Sequence, residues 1–365
     1  MSTKINKITK NNLFYMRLAI EQAKVNLGST KTNPSVGCVV EKNGSIISSG
    51  RTSLGGRPHA EFNALNKNIN FRNSNLYTTL EPCTHYGLTP PCVDIIIKKK
   101  IKNVFFSLID PDIRTKNKAL SKLNRNKIKV KKGILKDVTK KLYKSYFLKK
   151  EKFLPVVDAK IAISKDYFTI NKKTKWITNR VSLVRSHLIR SWYDCIISTS
   201  KSINSDNSLL NCRIRGLEKK SPSLIILDRN LRLKKNLSFF KIPNRKIYLF
   251  TIKQNKNKEK VFKKYGIKVI RLKKMNNKKD YMHIFSKLCS LGFSKILVES
   301  GLTFLSFILK EKIINNLYIF KAKNYLRQNG KNFCKNNLIK EINLNNKNKV
   351  KVNLLGDTLY NIRFK

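Results

Sequence analysis

The residues between His59 and Cys92 carry the densest chemistry in the chain. His59-Ala60-Glu61 is followed by a strand-like run, Leu76 to Leu80, then by Glu81-Pro82-Cys83 and, nine residues further on, by Cys92. One imidazole and two thiols form a donor set that tetrahedral zinc favours, and three protein ligands leave a fourth position for water, the mark of a catalytic site. Glu61 is spaced to take a proton from that water and hand it on. Taken singly, a cysteine is more often a small buried apolar residue and a histidine a satisfied polar one. The assignment therefore rests on His59, Cys83, Cys92 and Glu61 as a set, introduced by a Gly-Gly-Arg-Pro turn and by a strand that can return the chain to the same place. The set occurs once, so one zinc ion per chain is expected.

The elements around these residues read as an alternation of strands and helices. Leu13, Met16, Ile20, Ala23 and Leu27 recur at helical spacing before Gly28, a helix stop. Strands over 36–40 and 46–49 meet at Asn43-Gly44, the pair that favours a primed hairpin turn. A helix starting near His59 points its N-terminus at the site, a strand covers 76–80, and Cys92 opens a helix through Ile97. Strands over 104–108 and 128–130 complete a mixed sheet with helices on both faces. The charged run Leu148-Lys149-Lys150-Glu151-Lys152 before Pro155 marks a domain boundary, giving domains 1–148 and 149–365. The second part continues with strands over 155–163, 195–198, 224–228, 247–251 and 269–272, a helix through Arg190 and another near 281–291. It then reaches Lys295-Ile296-Leu297-Val298-Glu299-Ser300-Gly301-Leu302, a strand-turn-helix that presents backbone N–H groups to a phosphate. The Gly-x-Gly-x-x-Gly fingerprint of Rossmann dinucleotide sites is missing.

A chain of 365 residues with 41% hydrophobic content is expected to fold as two globular domains. It has no apolar run long enough to cross a bilayer, and the stretch 1–7 leads into polar residues rather than a signal-peptide core. Seven cysteines at irregular spacings fit a reducing, cytoplasmic setting better than a disulfide framework. The formal net charge of +57 raises nucleic-acid binding as a reading. The lysines, however, are spread over both halves alongside abundant Asn and Ile, with no basic stripe interleaved with aromatics. Biased base composition explains them more simply, and the charge would still attract anionic substrates. No nucleic-acid or membrane partner is expected, and a homo-oligomer is left open.

His59-Ala60-Glu61 with Pro82-Cys83 and a later cysteine matches the signature of zinc nucleobase deaminases, except that the second cysteine lies nine residues after the first instead of three. Together with Asn33-Pro34-Ser35-Val36-Gly37 and the run Glu81-Pro82-Cys83-Thr84-His85 to Thr89-Pro90-Pro91-Cys92, it resembles the deaminase half of the bifunctional riboflavin-biosynthesis deaminase/reductases. Tyr86 and Leu88 stand where that family carries a His and an Arg. The family's glycine-rich turn after Asp-Pro-Asn-Pro is here Asp110-Pro111-Asp112-Ile113-Arg114-Thr115-Lys116. Further on, Lys160 to Asp166, Thr174 to Thr178, Arg190, Ser202 with Asp206, Arg213 and Val298-Glu299-Ser300-Gly301 resemble the family's reductase half.

The resemblance implies an N-terminal cytidine-deaminase-like three-layer α/β/α domain and a C-terminal dihydrofolate-reductase-like α/β domain. The reactions implied are zinc-dependent deamination of 2,5-diamino-6-(5-phosphoribosylamino)pyrimidin-4-one, then NADPH-dependent reduction of the ribosyl group to ribityl. Ala162, Trp176, Ser202, Asp206 and the turn Gly301, Leu302, Thr303, Phe304, Leu305, Ser306 and Phe307 would contact NADPH. Thr174, Arg190, Leu210, Arg213 and Glu299 would contact the substrate, the arginines as bidentate donors to its phosphate. Asn33 would contact the deaminase substrate through its amide, and Asp110 and Asp112 could read ring or ribose groups, against the plainer readings of a turn cap and solvated loop carboxylates. Ala162, Ser202 and Ser300 replace Gly, Thr and usually Gly, and Asp206-Asn207-Ser208 replaces Asp-Asp-Pro. A deaminase with a degenerate reductase half is therefore one competing reading, and a basic zinc-containing nucleic-acid-binding protein another.

Overall fold

The computed structural model describes residues 8–30, 32–332 and 338–364; the stretch 1–7, read above for a targeting signal, lies outside them. Its internal contacts divide the chain into two units, 1–153 and 154–365.

In the first unit α1 (Lys10–Val25) precedes the hairpin β1 (Gly37–Lys42) and β2 (Ser45–Arg51), then α2 (Ala60–Leu65), β3 (Asn75–Leu80) and α3 (Cys92–Lys98). β4 (Asn103–Leu108), α4 (Lys118–Arg125), β5 (Lys129–Lys132), α5 (Lys136–Leu142) and α6 (Lys144–Lys152) complete it. The hairpin closes at Asn43 and Gly44 with φ of 52° and 84°, as a primed turn requires. The sheet runs β2-β1-β3-β4-β5, antiparallel at the hairpin end and parallel from β3 onward. Val39 and Tyr77 pack with α1 in one apolar cluster, while Val40 and Leu76 pack with Ala60 and Val93 in another, so alternate residues feed two faces. Gly50 has a direct bearing on the site: a Cβ there would collide with the Ala60 carbonyl. Its absence lets α2 lie on β2 with His59 at its N-terminus.

α6 runs unbroken through residue 148 and ends at Phe153, which takes φ 53°. The charged run that marks the boundary is helix, because lysine and glutamate are good helix formers, and the units divide at its end, between 153 and 154.

The second unit begins with β6 (Val156–Ile163), β7 (Ile170–Asn171), α7 (Arg180–Arg190), β8 (Cys195–Thr199), α8 (Ser200–Asp206) and β9 (Ser223–Leu227). It continues through β10 (Ile247–Thr251), α9 (Lys256–Lys264), β11 (Ile267–Arg271), α10 (Lys278–Ser290), β12 (Lys295–Val298), α11 (Leu302–Lys310) and β13 (Asn316–Lys321). β14 (Gly330–Lys331) pairs with β7, and β15 (Thr358–Arg363) closes one edge of the main sheet. That sheet has eight strands in the order β11-β10-β9-β8-β12-β6-β13-β15, parallel except for β15. Buried on both faces, its strands read as nearly continuous apolar runs such as Leu224-Ile225-Ile226-Leu227. Cys195 and Ile197 join one core cluster and Ile196 the other.

Candidate active sites

In the first unit, two helix starts and a strand end converge. His59 is the N-cap of α2, Cys92 is the first residue of α3, and Cys83 follows β3. His59 Nδ1 lies 3.5 Å from Cys83 Sγ and 3.5 Å from Cys92 Sγ, and the three donor atoms fall within 4.8 Å of one another. A tetrahedral zinc with ordinary Zn–N and Zn–S lengths would set its nitrogen and sulfur ligands roughly 3.6 Å apart. The donor set and its spacing therefore fit zinc. The Cys92 N–H donates to Cys83 Sγ at 3.2 Å, and the hydrogen bond from the Cys92 thiol draws the Cys83 thiol well below its usual range, toward the thiolate form that binds metal. Cys83→Ser or Cys92→Ser should lose most of the zinc, as read by elemental analysis; full occupancy in either variant would refute the ligand set.

Glu61 sits in the first turn of α2, 3% exposed, and accepts a hydrogen bond from Thr78 Oγ1 on β3 at 3.2 Å. Burial raises its proton affinity, which suits a group that must hold a proton between two transfers. Asn33 donates its side-chain amide to the Gly56 carbonyl at 2.8 Å, so it ties its loop to the turn before His59. Asp110 and Asp112 have partners within the unit. Asp110 accepts from Tyr146 Oη at 2.9 Å, and Asp112 pairs with Arg114 at 2.7 Å and Lys150 at 2.8 Å. Both carboxylates hold their loop.

A carboxylate that the sequence reading passed over also holds this loop. Glu81 is buried and accepts from the N–H groups of Asp110, Asn117 and Ala119 at 3.1–3.2 Å. Its position two residues before Cys83 was the available signal.

In the second unit, a cleft of 1210 Å³ collects the other expected residues. Its wall includes Ala162, Thr174, Trp176, Arg190, Ser202, Asp206, Leu210, Arg213, Glu299 and, from the turn into α11, Gly301 to Phe304 and Phe307. Trp176 is half exposed there rather than packed in a core. Leu305 and Ser306 are not on that wall. Helical periodicity turns Thr303 and Phe307 toward the cleft, whereas Leu305 is 1% exposed within the core. The Gly301 N–H, expected to face a phosphate, donates to Ser202 Oγ at 2.9 Å.

Arg190, expected to meet the substrate, lies on the cleft wall with its donors engaged inside the unit. Its bidentate edge is engaged by Glu299, with Nε to Oε1 at 2.7 Å and Nη2 to Oε2 at 2.9 Å, and Nη1 reaches the Asn211 carbonyl at 3.1 Å. Glu299 also faces Lys160 Nζ at 3.6 Å, a lining residue quoted in the motif but given no role. Burial pushes the Glu299 carboxyl up, but Arg190 and Lys160 outweigh that and hold it at about 2. His187 is pushed down to about 4 by burial and by Arg190 and Arg213, so it is neutral at pH 7. Arg213 is the exposed guanidinium of the group.

Fold and site together define a class: a cytidine-deaminase-like zinc unit joined to a dihydrofolate-reductase-like unit. Residues 9–108 match the cytidine and deoxycytidylate deaminase zinc-binding region, and residues 155–353 match the RibD C-terminal domain. The riboflavin biosynthesis protein RibD of Aquifex aeolicus is 33% identical over 321 residues, covering 87% of this chain and 88% of that protein. That of Actinobacillus pleuropneumoniae is 31% identical over 318 residues, covering 86% and 84%. Among solved structures, Acinetobacter baumannii RibD superposes with a TM-score of 0.82 at 25% identity, covering 97% of this chain and 99% of that one. A diaminohydroxyphosphoribosylaminopyrimidine deaminase/5-amino-6-(5-phosphoribosylamino)uracil reductase from Thermotoga maritima gives 0.78 at 27% identity, covering 96% and 98%. The chain belongs to the RibD family.

Proposed function

We propose that the chain catalyses two successive steps of riboflavin biosynthesis. The first unit hydrolyses the amino group of 2,5-diamino-6-(5-phosphoribosylamino)pyrimidin-4-one, taking up water and releasing ammonia. The second reduces the ribosyl group of the resulting 5-amino-6-(5-phosphoribosylamino)uracil to ribityl, consuming NADPH and a proton. The convergence of His59, Cys83 and Cys92 beside buried Glu61 carries this reading. Zinc held by those three residues would polarise the attacking water. Glu61 takes the proton from that water and returns it to the departing amine, while Thr78 holds the carboxylate in place. Asn33 is assigned to the edge of this substrate on family resemblance.

In the second unit the first turn of α11 offers N–H groups to the cofactor diphosphate, with Trp176, Ser202 and Asp206 along the groove. Arg213 is placed to receive the substrate phosphate, and the Arg190–Glu299–Lys160 group to face its sugar. The match over residues 155–353 speaks against a degenerate second half and against a nucleic-acid-binding protein. Among the described residues no helix is long and apolar enough to cross a membrane. We place the enzyme in the cytoplasm, where the free thiols of Cys38, Cys195 and Cys212 stay reduced.

Gly301→Val tests the cofactor assignment. A Cβ at 301 meets only Ser202 Oγ, at 3.3 Å, and φ there is −62°, so the fold should accept the side chain while the groove narrows. NADPH binding by titration should weaken about tenfold or more, the loss expected when a charge-assisted contact is displaced. Ammonia release should stay at the wild-type rate. Unchanged NADPH affinity would move the cofactor away from this turn.

A further inference from the structure

Between α8 and β9 the chain makes a loop, residues 207–213, that places Leu209, Leu210 and Arg213 on the cleft wall. The loop is not relaxed. Leu210 has φ 49°, in the left-handed region that a leucine side chain disfavours. His187, Arg190 and Ser221 hold the loop's second half, at residues 211–213; the contacts to Leu209 and Leu210 come from Arg245, in the approach to β10. Arg245 Nη2 donates to the Leu210 carbonyl at 2.6 Å, Nη1 donates to the Leu209 carbonyl, and Nε donates to the Pro222 carbonyl at 3.1 Å. Arg245 is not on the cleft wall, and among the described residues it makes no ion pair with a carboxylate. A partly buried guanidinium facing three carbonyls keeps its full charge behind the loop.

That charge adds to an imbalance. Arg190 and Lys160 share one buried carboxylate, Glu299, and Arg213 and Arg245 lie close enough to feel the charge of Arg190 without, among the described residues, a carboxylate of their own. Arg245 is lowered to about 10 by burial and then by the charge of Arg190, and Arg213 is lowered for the same two reasons. An arriving dianion would relieve this repulsion, because an opposite charge favours the protonated form of each group.

We infer that Arg245 is a positioning residue for the anionic substrate of the second unit, fixing the backbone that aims Arg213 into the cleft and adding positive charge behind it. The inference rests on the reductase reading of that unit and assigns the phosphate end of the substrate to this side of the cleft. Lysine could not replace it, since one ammonium cannot span three carbonyls as a planar fork does.

The experiment uses the full chain with zinc and NADPH and compares wild type, Arg245→Met, Arg213→Met and the double variant. Arg245→Met should raise the KM of the phosphorylated uracil substrate about 10- to 100-fold, with kcat, NADPH affinity and ammonia release within about twofold of wild type. Added methylguanidinium should recover part of that KM. In the double variant the two effects should fall short of additive, as expected when one residue acts through the other. A KM within about twofold of wild type overturns the inference, and so does full additivity. If Arg245→Met fails to fold, Arg245→Lys takes its place, with an intermediate KM expected and a wild-type KM overturning the inference. A wild-type protein that neither oxidises NADPH nor binds ribose 5-phosphate overturns the reductase reading itself, together with this inference.

Discussion

Glu61→Gln should retain a full complement of zinc and lose deamination by about 10²- to 10⁴-fold, the range by which general acid–base groups contribute. The amide preserves the size of a side chain that is 3% exposed, and its oxygen can still accept the Thr78 hydrogen bond, so the fold and the ligand positions should be unaffected. What it cannot do is accept the proton of the attacking water and deliver it to the leaving amine. Metal analysis and ammonia release measured on the same sample separate the two effects. Normal turnover in Glu61→Gln would remove this residue from the chemistry.

Arg190→Met should destabilise the second unit by about 3–5 kcal/mol, the usual cost of removing one partner from a buried ion pair. The side chains of Arg190 and Glu299 are 12% and 8% exposed, so solvent screens them little. The variant leaves Glu299 with only Lys160, at 3.6 Å. The two tryptophans of the chain, Trp176 and Trp192, both lie in this unit, so their fluorescence in a urea titration reports its unfolding alone. The pH dependence should follow the same pair. The Glu299 carboxyl, held at about 2 in the folded unit, contributes stability that is present above the ordinary Glu range near 4.5. It is lost as pH falls from there toward 2. Arg190→Met should flatten that slope, and Arg190→Met with Glu299→Leu and Lys160→Met should recover part of the loss, since no member of the buried group then keeps an unpaired charge. A variant as stable as wild type would mean that the pair is solvated in solution.

The zinc site was legible because metal ligation demands particular atoms: a His and two Cys at loop and helix starts narrow the options to few chemistries. The Asn43-Gly44 turn was legible for a similar reason, since positive φ at both residues selects for them. What sequence spacing does not carry is pairing between distant residues. Arg190 and Glu299 lie 109 residues apart, and nothing local to either shows that they face each other. The same holds for Glu81, whose three amide partners lie 29, 36 and 38 residues on, and for Arg245, which resembles any other cation in a lysine-rich chain. The Lys150 partner of Asp112 was not legible either, since it lies 38 residues on. The charged run at 148–152 located the boundary only to within a few residues, because charge alone does not end a helix whose residues favour it.

The most direct test of a two-step enzyme follows ammonia and NADPH together in one reaction of the purified chain with the diaminopyrimidine substrate. Without NADPH, ammonia should be released and the deaminated uracil should accumulate; with NADPH, its oxidation should follow ammonia release one for one. Removing zinc with a chelator should stop ammonia release, while NADPH oxidation continues when the deaminated uracil is supplied directly. Ammonia release that survives the loss of zinc, or no NADPH oxidation with the deaminated uracil present, would contradict the account.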